Sequence, residues 1–123
     1  FDVVQEDGSY AGGVISPGVQ LSLDALDKAT ARLPRIAVKK PSFVVGVDTV
    51  TAMQSGIYWG YVGLLQGIVS RIKEESKTDM KVVATGGLAN LFSVDSDLID
   101  IVDLDLTIKG IAFAWNPSLN VFY

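Results

Sequence analysis

The residues that could do chemistry sit in a few separated places. Asp2 is a carboxylate inside an otherwise apolar run, Phe1-Asp2-Val3-Val4. A strand-borne carboxylate at a sheet end can bind a cation, and it can equally be an ordinary edge residue; residue type leaves both open. Thr49 is a small hydroxyl at the start of a long uncharged stretch, where it can cap a helix or donate to a ligand. Gly86-Gly87 follows Lys81-Val82-Val83-Ala84-Thr85 and precedes Leu88-Ala89-Asn90. Strand, Gly-Gly and helix start together let a ligand approach the backbone, although such a pair is more often only a turn. Asp95, Asp97, Asp100, Asp103 and Asp105 form a loose acidic string. It lacks the Gly at the sixth and the Glu at the twelfth position of a calcium loop, and it reads as solvated turn and cap residues.

Composition removes much other chemistry. The 123 residues include no histidine and no cysteine. Ser-His-Asp catalysis, thiolate nucleophiles, disulfides and ordinary zinc centres are therefore excluded. Net charge is −4, and no basic cluster exceeds Lys39-Lys40, which argues against a nucleic-acid partner. A hydrophobic fraction of 49% with 20% charged residues is globular composition. Carboxylates, hydroxyls, a few lysines and arginines, and backbone amides remain. The chain begins at Phe1 without Met and without a charged region ahead of an apolar run. It reads as a segment of a longer protein, not as a signal peptide, the alternative being a natural mature N-terminus left by processing.

The elements that must position these residues follow from the punctuation. Residues 1–15 predict a β-hairpin turning at Gln5-Glu6-Asp7-Gly8-Ser9, with Gly12-Gly13 marking a bulge or a close backbone approach. Ser16-Pro17 predicts a helix start, with Val19, Leu23, Leu26, Thr30 and Leu33 on its apolar stripe and Pro34 as its end. Residues 34–48 read as a connector. Lys81–Thr85 predicts a strand, and Leu98–Asp103 a short strand or extended segment. Asp105 can cap a last helix carrying Leu106, Ile108, Ile111, Ala112 and Trp115, which Asn116-Pro117 ends.

Val50 to Ser70 carries no charged residue. Gln54, Ser55, Gln66 and its glycines argue against a membrane span. A long buried helix from about Thr51 to Glu75 is predicted, with Ile57, Tyr61, Leu64, Leu65, Ile68 and Ile72 as its apolar stripe. Gly56, Gly60, Gly63 and Gly67 form a parallel stripe. Each interior Gly costs about 0.8–1 kcal/mol relative to Ala, so close packing against that face is expected to offset the loss. The partner is either the domain's own sheet or a second copy of the helix. The apolar stripe, with Tyr58 and Trp59, is expected to leave more oily surface than one small domain can cover.

In order and spacing, several motifs resemble the second half of a type III pantothenate kinase. They are Phe1-Asp2-Val3-Val4, Gly12-Gly13-Val14-Ile15-Ser16-Pro17-Gly18, Leu33-Pro34, Asp48-Thr49-Val50-Thr51-Ala52-Met53-Gln54-Ser55-Gly56 and Ala84-Thr85-Gly86-Gly87-Leu88-Ala89. The resemblance runs from Phe1 to about Ile111. It implies an α/β, ribonuclease-H-like domain of the actin, Hsp70 and sugar-kinase superfamily, a mixed sheet with packed helices, with residues 1–123 as one domain of a two-domain kinase. It further implies a cytoplasmic homodimer, paired through the helix around Gly56–Gly67. The implied reaction is transfer of the γ-phosphoryl group of ATP to pantothenate, with Mg2+ and a monovalent cation, K+ or NH4+.

By the same resemblance, Asp2 is linked to cation binding, Thr49 reaches pantothenate from the neighbouring subunit, and Gly86 and Gly87 approach the adenosine. Gly12, Gly13, Pro17 and Gly18 match architectural positions. The chain departs from the pattern in three respects. The family's phosphate loops and catalytic aspartate have no counterpart here, so catalytic residues are expected in a preceding half. Asp48 stands where the family commonly has Asn. The tail from Phe113 to Tyr123 does not follow the family. The alternative is a non-catalytic regulatory or accessory homologue using the same fold.

Overall fold

A computed structural model describes residues 1–29, 34 and 36–118. The chain divides into two compact units, Phe1–Tyr61 and Val62–Tyr123. In the first, β1 (Asp2–Val4) and β2 (Tyr10–Gly13) form the expected antiparallel hairpin. Asp2 pairs with Gly13, Val3 with Gly12 and Val4 with Tyr10, so Ala11 is the extra residue of a bulge. Gly12 takes φ +123°, which favours glycine. An added Cβ at Gly13 would overlap the Phe1 carbonyl, so the Gly-Gly pair serves both a bulge and a close approach. The Asp7 carboxylate accepts the Ser9 amide at 2.9 Å and fixes the turn.

Helix α1 (Val19–Ala29) starts later than Ser16-Pro17 predicts. The Tyr61 hydroxyl donates to the Pro17 carbonyl at 2.9 Å, and Ser22 shares that hydroxyl at 2.6 Å. In the predicted helix the Pro17 carbonyl would accept from Leu21; here Tyr61 takes it, and the first intrahelical bond runs from Ser22 to Gly18. Val19 and Leu23 are buried and Leu26 is exposed; Thr30 and Leu33, expected to continue the stripe, lie outside the described residues.

Helix α2 (Thr49–Ser76) is 28 residues long, slightly longer at both ends than expected, and runs through the boundary between the units. Its buried face is rotated from the predicted stripe. Gln54, Ser55, Ile57, Tyr58 and Val62 are buried, whereas Tyr61, Leu64, Leu65, Ile68 and Ile72 are only partly so. Tyr58 is fully buried and Trp59 partly, so these rings do not add the exposed oily surface expected of them. Their rings meet edge to face, centroids 5.1 Å apart. Gly56, Gly60 and Gly63 are exposed, and an added Cβ at any of them meets nothing within 4 Å. Among the described residues no sheet covers this stripe. The helix ends at Ser76, and Lys77 just beyond it takes a left-handed φ of 53°.

In the second unit, β3 (Val83–Ala84) and β4 (Ile101–Val102) pair in parallel, with Val83 opposite Ile101 and Ala84 opposite Val102. Both are shorter than predicted. Helix α3 (Ala89–Ser93) connects them and buries Ala89 and Phe92. Helix α4 (Leu106–Trp115) ends at Asn116-Pro117 as expected but buries no residue. Asp105 occupies its N-cap position without a side-chain bond. Asp103 acts instead: its carboxylate accepts the Asp105 amide at 3.0 Å and pairs with Lys109 at 2.9 Å. Part of the divergent tail, residues 119–123, lies outside the described residues. No helix among the described residues is long and apolar enough to cross a membrane.

Candidate functional site

Thr49 is the first residue of α2 and is exposed. It does not cap the helix, because Asp48 does. The Asp48 carboxylate accepts the Thr51 amide at 2.9 Å, and the Asp48 amide donates to the Thr51 hydroxyl at 3.2 Å. This reciprocal pair is a capping box with Thr in the third helical position. The bond from the Thr51 amide holds the Asp48 carboxyl below the usual carboxylate range. The Thr49 hydroxyl has no hydrogen-bond partner among the described residues, which leaves it open to a ligand. The signal for the cap was present in the sequence as Asp48-x-x-Thr51.

Gly86 and Gly87 lie in the turn between β3 and α3. Gly86 takes φ +91°, a conformation that side-chain-bearing residues rarely adopt. The Ala89 amide donates to its carbonyl at 3.1 Å, which closes the turn. Gly87 is exposed, and an added Cβ would meet nothing within 4 Å. The two glycines therefore differ in kind. Gly86 is required by the backbone, while Gly87 leaves a bare, approachable peptide beside it. This unobstructed backbone leaves room for a ligand to approach.

Asp2 is exposed on β1, opposite Gly13. Among the described residues no group of three acidic side chains converges on a possible metal position. Asp2 alone is one carboxylate and does not build a cation site by itself. Members of the acidic string act locally. Asp100 accepts the Val82 amide at 2.6 Å and ties the ends of β3 and β4, and Asp103 anchors α4. The bond from Lys109 to Asp103 holds that carboxyl below its ordinary range. Asp2 and Thr49 belong to the first unit, Gly86 and Gly87 to the second.

A solved structure described as a conserved putative Baf family transcriptional activator from Campylobacter jejuni matches 96% of this chain and 53% of its own, with TM-score 0.61 and 20% identity. That likeness shows a shared fold. Among curated proteins, the type III pantothenate kinase of Paramagnetospirillum magneticum is 59% identical over 111 residues, 90% of this chain and 43% of its own length. The one from Phenylobacterium zucineum is 52% identical over 118 residues, 96% of this chain and 46% of its own length. The one from Rhodospirillum rubrum is 56% identical over 111 residues, with 90% and 43% covered. The chain thus spans less than half the length of these relatives. A family profile described as type III pantothenate kinase matches residues 1–71, which hold Asp2, the hairpin glycines and the Asp48–Gly56 motif. With that match over more than half of its residues, the chain belongs to the type III pantothenate kinase family.

Proposed function

We propose that the complete protein transfers the γ-phosphoryl group of ATP to the primary hydroxyl of pantothenate, giving 4'-phosphopantothenate, the first step of coenzyme A biosynthesis. The observation that carries this reading is the family match over residues 1–71, which includes a Thr49 hydroxyl left free by the Asp48 cap. In this reading Thr49 contacts pantothenate across a twofold interface, and Gly86-Gly87 lies under the adenosine. Phosphoryl transfer depends mostly on positioning and electrostatics, so a chain without histidine or cysteine suits it.

The reading extends to the whole molecule. The fold is a ribonuclease-H-like domain, and the protein works in the cytoplasm as a homodimer. Support for the dimer comes from the bare face of Gly56, Gly60 and Gly63, where a second backbone can approach closely. ATP is bound with Mg2+ and a monovalent cation, K+ or NH4+, Asp2 supplying at most one ligand. The catalytic carboxylate and the phosphate loops belong to the remainder of the protein.

The test is ATP-dependent phosphorylation of pantothenate by the purified complete protein. Product formation is expected there and none from residues 1–123 alone. An inactive complete protein that still binds its partners would favour the non-catalytic homologue.

A further inference from the structure

The connector ahead of α2 is tied to the helix by polar side chains that the helix buries. Ser55 is 5% exposed, and its hydroxyl donates to the Val44 carbonyl. Gln54 is 9% exposed, and its Nε2 donates to the Ala37 carbonyl at 3.4 Å. Gly46 comes so close to the backbone of Thr51 and Ala52 that a Cβ there would overlap the Ala52 amide nitrogen. These ties lead directly into Asp48 and Thr49. Apolar packing is not what holds the connector, since Phe43, Val45 and Val47 all lie at least 80% exposed. Burying polar side chains costs more than burying apolar ones of similar size unless their hydrogen bonds are made. Gln54 and Ser55 make theirs to the connector backbone.

We propose that Ser55 and Gln54 are positioning residues for pantothenate. Through the Val44 and Ala37 carbonyls they set where the connector joins α2, and so where the Thr49 hydroxyl stands. Neither side chain touches the substrate. The inference rests on the reading above that Thr49 contacts pantothenate.

The experiment uses the complete protein with steady-state kinetics for both substrates and a melting curve for each variant. Ser55→Ala is expected to raise the pantothenate KM about fivefold to tenfold, the worth of one hydrogen bond, with the ATP KM within about twofold of wild type. Ser55→Thr keeps the hydroxyl and is expected to restore the pantothenate KM. Gln54→Met keeps the length of the side chain and is expected to give the same split as Ser55→Ala. Unchanged KM values in both variants overturn the inference. So does a parallel rise in both KM values with a lowered Tm, or failure of both variants to fold, since either marks a purely structural pair. If Thr49→Ala impairs pantothenate use while Ser55→Ala and Gln54→Met do not, this inference alone fails. A wild-type protein that does not phosphorylate pantothenate removes the functional reading, and the inference falls with it.

Discussion

Glycine 86 and glycine 87 are adjacent, yet substitution should affect them through different physics. A side chain at Gly87 stands in open space, so Gly87→Val is expected to leave the Tm near wild type. In the complete protein it should weaken ATP binding about tenfold, because a branched side chain would occupy the ligand's approach. Gly86→Val meets φ +91° and should lose about 1–2 kcal/mol of stability whatever the ligand does. Calorimetric titration with ATP beside thermal melting separates them, and unchanged affinity in Gly87→Val would make the pair a turn only. At Thr49 the capping account and the ligand account part in the same way. Because Asp48 and Thr51 close the cap, Thr49→Ala should keep the Tm while raising the pantothenate KM roughly tenfold or more. Asp48→Ala should lower the Tm. A fall in Tm for Thr49→Ala with unchanged pantothenate KM would contradict the assignment.

The bare glycine face of α2 makes the sharpest statement about an element. Gly60→Leu with Gly63→Leu adds side chains where nothing lies within 4 Å, and each change raises helix propensity by roughly 0.8 kcal/mol. Circular dichroism should therefore report a folded chain, and light scattering on the complete protein should report a monomer. A native-like dimer would refute close packing through this face. Much of this helix was legible beforehand, because its uncharged run and its polar ends bound it within a residue or two. The hairpin was legible too, since Asp7-Gly8 and Gly12-Gly13 each encode local backbone geometry. What periodicity missed were the long-range partners. Tyr61 takes the Pro17 carbonyl from far along the chain and so moves the start of α1. Gln54 and Ser55 reach acceptors in the connector, which rotates the buried face of α2 toward Tyr58. Among the candidate site residues, their positions in strand, turn and helix start were legible. The freedom of the Thr49 hydroxyl was not, because it depends on what its neighbour Asp48 binds.

At the scale of the whole molecule, carboxylates among the described residues link folding to acid. Asp7, held by Ser9, Asp48, held by the Thr51 amide, and Asp103, held by Lys109, all lie below their ordinary range in the fold. A depressed folded value contributes stability that is present above the unfolded value of about 3.9 and is lost as pH falls through the folded one. Asp103→Asn should accordingly lower the Tm at neutral pH, and its gap to wild type should close as pH drops below about 4. Melting both proteins across that range tests this; a gap that persists at low pH would mean the Asp103–Lys109 tie acts without its charge. The placement of the chain's two tryptophans has an optical consequence. Trp59 lies in the first unit, its ring edge-on to Tyr58 and its indole nitrogen buried with no acceptor among the described residues. Trp115 lies in the second unit and is 90% exposed. Indole emission shifts to shorter wavelength in apolar surroundings, and dissolved iodide quenches only rings it can reach. Trp59 should therefore emit blue and resist iodide, and Trp115 should emit red and be quenched. Each unit thus carries its own fluorophore, and following both colours through one denaturant titration shows directly whether the units unfold together or in turn.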